Sequence, residues 1–131
     1  MQTNRSRLPE GPLLVVEDDP FLLSMLREVI SKTGRIVYTA ANGEEAVNLL
    51  QRRADIRAVV TDLAMPEMDG VRLIHWLSQE QPDMPVVVLT ASASSDVQDL
   101  LERRSVEAVF QKPLTGQRIN ELLGALNSLH A

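Results

Sequence analysis

Several polar side chains of chemically useful type stand at the ends of apolar runs in this chain. Glu17, Asp18 and Asp19 follow LLVV, Asp62 follows AVVT, Thr90 closes VVVLT, and Lys112 follows AVFQ. Each has an ordinary explanation when taken alone. An acid after a strand commonly caps the next helix, and Asp19 reads that way. A threonine at a strand end reflects β propensity, and a single lysine in a turn is usually solvated. If the runs are strands of one sheet, however, these side chains gather at one edge. Two or three carboxylates meeting there repel one another unless a cation neutralises them. Hard oxygen donors of this kind suit Mg²⁺, which accepts one or two carboxylates together with waters and a substrate phosphate.

The elements that would bring them together can be read from the pattern of the chain. The apolar runs are Pro12–Val16, Ile36–Thr39, Ala58–Thr61, Val86–Thr90 and Ala108–Gln111. They are rich in Val and Ile and apolar at consecutive positions, as strands buried on both faces of a parallel sheet are. Amphipathic helical segments lie between them. Asp19 caps the first, with Pro20 at the first helical position and a stripe of Phe21, Leu22, Met25, Leu26, Val29 and Ile30 facing inward. Gly34 reads as its C′ glycine. Asn42 caps the second, with Glu45 placed for a capping box. Asp69 caps a third running to about Gln79, Ser94 or Ser95 starts a fourth, and Thr115 starts a fifth with Ile119, Leu122, Leu123, Leu126 and Leu129 inward. Strands alternating with helices predict an α/β fold, a doubly wound, five-stranded parallel sheet with helices on both faces. Ligands of such sheets bind beyond the carboxyl ends of the strands, where the acids, the hydroxyl and the amine fall.

Composition narrows the classes. A length of 131 residues with 44% hydrophobic side chains suits one domain with a real core. A polar N-terminal tail over residues 1–11 precedes the domain, residues 12–131. The formal net charge of -5 argues against direct nucleic-acid binding, which normally shows a basic patch. With no cysteine there is neither a disulfide nor a thiolate metal site. The tail has no apolar run and no stretch is long enough to span a membrane, so a cytoplasmic protein without membrane association is expected.

The segments LLVVEDDP, TDLAMPEMDG and VVVLTA and the pair Lys112–Pro113 together resemble the signature set of response-regulator receiver domains of two-component systems, with matching spacing from about Pro12 to Leu129. The resemblance implies a flavodoxin-like (βα)5 fold with strand order 2-1-3-4-5. It implies that Asp62 takes a phosphoryl group from a phosphohistidine, forming an aspartyl phosphate. Asp18, Asp62 and the backbone carbonyl of Ala64 would bind Mg²⁺, or Mn²⁺, with Glu17 acting through a water. Lys112 would pair with one phosphoryl oxygen and Thr90 would donate a hydrogen bond to another. Pro66 and Gly70 would shape the loop after Asp62, and the Lys112–Pro113 bond would be cis. The expected partners are a histidine kinase or histidine phosphotransfer domain and an effector outside this chain, with the protein a monomer or a weak phosphorylation-dependent dimer. It would be no enzyme beyond its own phosphorylation and dephosphorylation. The surface of the fourth helix, fifth strand and fifth helix would carry the switch.

Departures from that pattern are informative. Val109 stands three before Lys112, where the family usually has Tyr or Phe, and the neighbouring Phe110 should face the other side of the sheet. Ser105 replaces the usual glycine before the fifth strand, and Ala64 has no polar side chain to guide a hydrolytic water. Two other classes fit less well. A haloacid-dehalogenase-type phosphatase needs a second Asp where Ala64 stands. A flavodoxin needs a phosphate loop where this chain has Glu17, Asp18 and Asp19, which would repel phosphate. A degenerate receiver serving only as a binding scaffold usually lacks one of the key residues, and none is missing here.

Overall fold

The computed structural model describes residues 11–63, 70–91 and 106–128. Their strands are β1 (Leu13–Val16), β2 (Val37–Ala40), β3 (Ala58–Asp62), β4 (Val86–Thr90) and β5 (Ala108–Gln111). Their helices are α1 (Pro20–Ser31), α2 (Gly43–Arg52), α3 (Gly70–Glu80) and α4 (Gly116–Ser128), the last being the fifth helix of the sequence pattern. All strands run parallel, in the order β2-β1-β3-β4-β5. The fold is the flavodoxin-like α/β arrangement that the apolar rhythm and the family resemblance imply. The expected fourth helix from Ser94 or Ser95, the Asp69 cap, Pro66 and Ser105 lie outside the described residues.

Side-chain alternation divides the core between the two faces of the sheet. Leu14, Val16, Val59, Val86 and Val88 meet Ala46 and Leu50 of α2 and Leu73, Ile74 and Leu77 of α3. On the other face Leu13, Val15, Val60, Val87 and Leu89 meet Leu26 and Ile30 of α1 and Leu122 and Leu126 of α4. Strands β1, β3 and β4 are buried throughout, so consecutive apolar residues are required there. The edge strands differ from that expectation. β2 is only partly buried, and β5 alternates half-buried and exposed residues, because each edge strand has one sheet neighbour rather than two.

Helix ends follow their capping chemistry. The Asp19 carboxylate accepts from the Phe21 and Leu22 amides, and Asn42 Oδ1 accepts from the Glu45 amide at 2.9 Å. Glu45 Oε1 returns to the Ala41 amide at 2.9 Å, one residue before the cap. Thr115 Oγ1 accepts from the Arg118 amide at the start of α4. Three sequence expectations need correction. Phe21, assigned to the inward stripe, is 86% exposed, because it sits in the first turn, beyond the reach of the sheet. Ile36 precedes β2 and is exposed. Gly34, with φ 96°, lies two residues past the helix cap at Lys32 rather than at C′.

Candidate functional site

The carboxyl ends of β1, β3, β4 and β5 deliver Glu17, Asp62, Thr90 and Lys112 to one edge of the sheet, with Asp18 beside Glu17. Asp62 is the last residue of the central strand β3 and is 5% exposed. Its backbone position is fixed from several sides. Asp62 pairs with Leu89 across β4, the Leu63 amide donates to the Leu89 carbonyl at 3.2 Å, and the Thr61 hydroxyl donates to the Asp62 carbonyl at 2.8 Å.

The start of α3 presses against the same peptide. The Gly70 amide donates to the Leu63 carbonyl at 2.8 Å. A Cβ on Gly70 would run into the Asp62 carbonyl oxygen and would lie 2.6 Å from Leu63 Cα. Glycine is therefore required by close backbone approach, a stronger demand than the turn chemistry read from the sequence.

Lys112 comes from the far edge of the sheet and joins the acids. Its Nζ donates to Asp62 Oδ2 at 3.0 Å and to Glu17 Oε1 at 2.8 Å. The other Glu17 oxygen, Oε2, accepts from the Asp19 amide at 3.0 Å. Both carboxylate oxygens of the fully buried Glu17 thus have protein partners. Burial pushes the Glu17 carboxyl above its ordinary value, while the hydrogen bonds from Lys112 and the Asp19 amide pull it back only in part. Burial also works against the Lys112 charge, but the hydrogen bonds to Glu17 and Asp62 more than offset it and hold the ammonium above its ordinary value. The Lys112–Pro113 peptide is cis.

One oxygen each from Glu17, Asp18 and Asp62 lies within 4.8 Å of the others. Asp18 is exposed at the mouth of the cluster, whereas Glu17 and Asp62 are buried. Three carboxylates face one ammonium, and the donors are hard oxygens, so the residues fit a small divalent cation open to water and to an incoming anion. Thr90 is buried at the end of β4, and its carbonyl accepts from the Lys112 amide at 2.7 Å. Ala64 lies outside the described residues.

The structure also supplies a residue that the sequence reading passed over. Arg118 Nη1 donates to the Gln111 carbonyl at 3.2 Å and to the Pro113 carbonyl at 3.0 Å, the two carbonyls flanking Lys112. No local pattern marks an arginine six positions beyond the lysine for that task. In β5 the alternation is as expected: Val109 is 38% exposed, while Phe110 packs on the opposite face beside the α1–α4 core.

Comparison with known proteins agrees with this arrangement. The sequence model of the response regulator receiver domain matches residues 13–124. The transcriptional regulatory protein GlrR of Escherichia coli K12 is 37% identical over 102 residues, which are 78% of this chain and 23% of that protein. The chain therefore spans about a quarter of that relative's length. A chemotaxis protein CheY homolog of Campylobacter jejuni is 30% identical over 114 residues, covering 85% of this chain and 88% of the relative. The fold matches that of the response regulator TrrA of Thermotoga maritima, with a TM-score of 0.75 at 23% identity over 88% of this chain and 98% of that one. The open parallel sheet, with acids at its carboxyl edge and a lysine bridging them, defines a flavodoxin-like α/β domain with an acidic site that fits a divalent cation. The chain belongs to the response regulator receiver domain family.

Proposed function

We propose that the chain is a phosphoacceptor receiver, charged on Asp62 from a phosphohistidine of a histidine kinase or phosphotransfer domain. The observation that carries this reading is the placement of the Lys112 ammonium on Asp62 Oδ2 at 3.0 Å, with Glu17 and Asp18 adjoining. An Asp62 oxygen attacks phosphorus in line; the new P–O bond forms as the P–N bond breaks, and the imidazole leaves with the bonding pair. Such transfer depends on positioning and on neutralising charge over the phosphoryl oxygens. Lys112 supplies one positive charge and Thr90 a hydroxyl donor. Asp18, Asp62 and the carbonyl of Ala64 would hold Mg²⁺, with Glu17, whose oxygens already have protein partners, acting through water. When bound, the cation neutralises the carboxylate cluster and the incoming phosphoryl oxygens. The Thermotoga maritima protein was solved in complex with Mg²⁺ and BeF, which supports the same chemistry here.

The donor approaches over the carboxyl edge, where α1 begins. Phe21 stands exposed there, and Ser24, Arg27 and Glu28 are exposed along the same helix, a surface suited to a phosphodonor partner. Among the described residues no helix is long and apolar enough to cross a membrane, which is compatible with a cytoplasmic donor. The chain would catalyse only its own phosphorylation and dephosphorylation, and the surface around β5 would pass the signal to an effector.

Incubation with Mg²⁺ and acetyl phosphate, followed by mass spectrometry, tests the assignment. The parent gains one phosphoryl group and Asp62→Asn gains none. Equal labelling of the two would overturn it.

A further inference from the structure

We infer that Arg118 is a positioning residue for phosphoryl transfer, acting through Lys112; this rests on the phosphoacceptor reading above. Arg118 stands in the first turn of α4, where the helix dipole disfavours a cation. Its place is accounted for by what it holds. The peptide joining Gln111 to Lys112 is gripped at both ends: its N–H donates to the Thr90 carbonyl at 2.7 Å, and its carbonyl accepts from Arg118 Nη1 at 3.2 Å. The same nitrogen holds the Pro113 carbonyl at 3.0 Å, so one guanidinium fixes the backbone on both sides of Lys112.

That backbone needs fixing. β5 is an edge strand and ends at Gln111, so Lys112 lies beyond the sheet while its ammonium must reach both Glu17 and Asp62 across it. A lysine side chain is long and loses considerable rotamer freedom when its tip is held in one place. A mobile base would relax the tip, and misplacement on the order of 1 Å can cost about a hundredfold in rate. The planar guanidinium suits the task because one nitrogen carries two N–H donors in fixed directions. A lysine at this position keeps the charge, but its shorter side chain and freely rotating ammonium lack the fixed planar fork, so it should restore only part of the effect.

The test compares Arg118→Met and Arg118→Lys, each in the parent and in a Lys112→Ala background. Acetyl phosphate labelling with Mg²⁺ is measured together with the NMR signal of the Lys112 ammonium. In the parent background Arg118→Met should slow labelling about tenfold at saturating donor, with Arg118→Lys intermediate. In the Lys112→Ala background neither change should slow the residual rate further, although any loss in urea midpoint persists. The Lys112 ammonium signal should shift or broaden in Arg118→Met. Equal slowing in both backgrounds, or an unmoved ammonium signal, overturns the inference. A parent that takes no phosphate overturns the phosphoacceptor reading instead, and the ammonium signal still decides the role of Arg118.

Discussion

At the scale of single residues, the site is an exchange between burial and pairing. Glu17 is an acid in a fully buried place, tolerated because Lys112 and the Asp19 amide occupy its oxygens. The pH dependence of stability should expose that balance. A raised carboxyl value means that the folded chain binds its proton more tightly than the unfolded chain. The Glu17 contribution is therefore full below the ordinary value of 4.5 and is lost as pH rises through the folded value. Lys112, also raised, contributes stability that is full below 10.5 and is lost as pH rises through its folded value. Lys112→Met removes the ammonium and leaves Glu17 with the Asp19 amide alone, moving its carboxyl further up. The variant should be less stable than the parent by about 1–3 kcal/mol at neutral pH, where a buried acid has lost its partner. The deficit should shrink as pH falls toward the ordinary carboxylate range and Glu17 takes up its proton, and the parent's loss above 10.5 should disappear. Urea unfolding across that range measures both, and parallel curves for parent and variant would contradict the pairing as described.

At the scale of elements, the junction of β3 with α3 sets the position of Asp62. Gly70→Ala places a methyl group against the Asp62 carbonyl and 2.6 Å from Leu63 Cα, both backbone atoms that cannot rotate away. Overpacking of this kind costs about 1–3 kcal/mol, and any relief comes from moving α3 or the end of β3. Movement of β3 shifts Asp62 directly, and movement of α3 loosens the Gly70 amide bond to the Leu63 carbonyl that braces it, so phosphorylation should fall along with the urea midpoint. Full labelling by a destabilised variant would show that the junction serves the fold alone. Elements of this kind were only partly legible in the sequence. The runs LLVV, AVVT and VVVLT were plain because a strand covered on both faces must be apolar at every position. Asp19 and Asn42 were plain because capping is local. Phe21 misled because helical periodicity marks a face without saying how far the sheet beneath it extends. The clash at Gly70 and the grip of Arg118 depend on how separate elements approach in space, which spacing along the chain does not record.

At the scale of the whole molecule, Asp62 and β5 are joined by short links: Lys112 Nζ to Asp62 Oδ2 at 3.0 Å, and the Lys112 amide to the Thr90 carbonyl at 2.7 Å. A phosphoryl group on Asp62 would compete for the ammonium and recruit the Thr90 hydroxyl, so disturbance should enter β4 and β5 at their carboxyl ends. Such a local change becomes a signal only by biasing an element with two arrangements. The ring that the family usually moves is missing from its place. Val109 presents a small, 38% exposed side chain there, and the ring next to it in sequence, Phe110, is packed on the opposite face beside the α1–α4 core. Turning Phe110 outward would move every β5 side chain to the other face and strip apolar contacts from that core. The residues proposed as the trigger, Thr90 and Lys112, therefore stand beside Asp62, while the position expected to carry the aromatic holds Val109. Beryllofluoride with Mg²⁺, a mimic of the phosphoryl group, should shift the NMR signals of Thr90, Ala91 and Lys112 strongly and those of Val109 and Phe110 little. In α4, shifts should concentrate in the first turn, where Arg118 meets the carbonyls beside Lys112. Large changes spreading from Val109 along α4, with Thr90 nearly still, would mean that the signal leaves the site by another route.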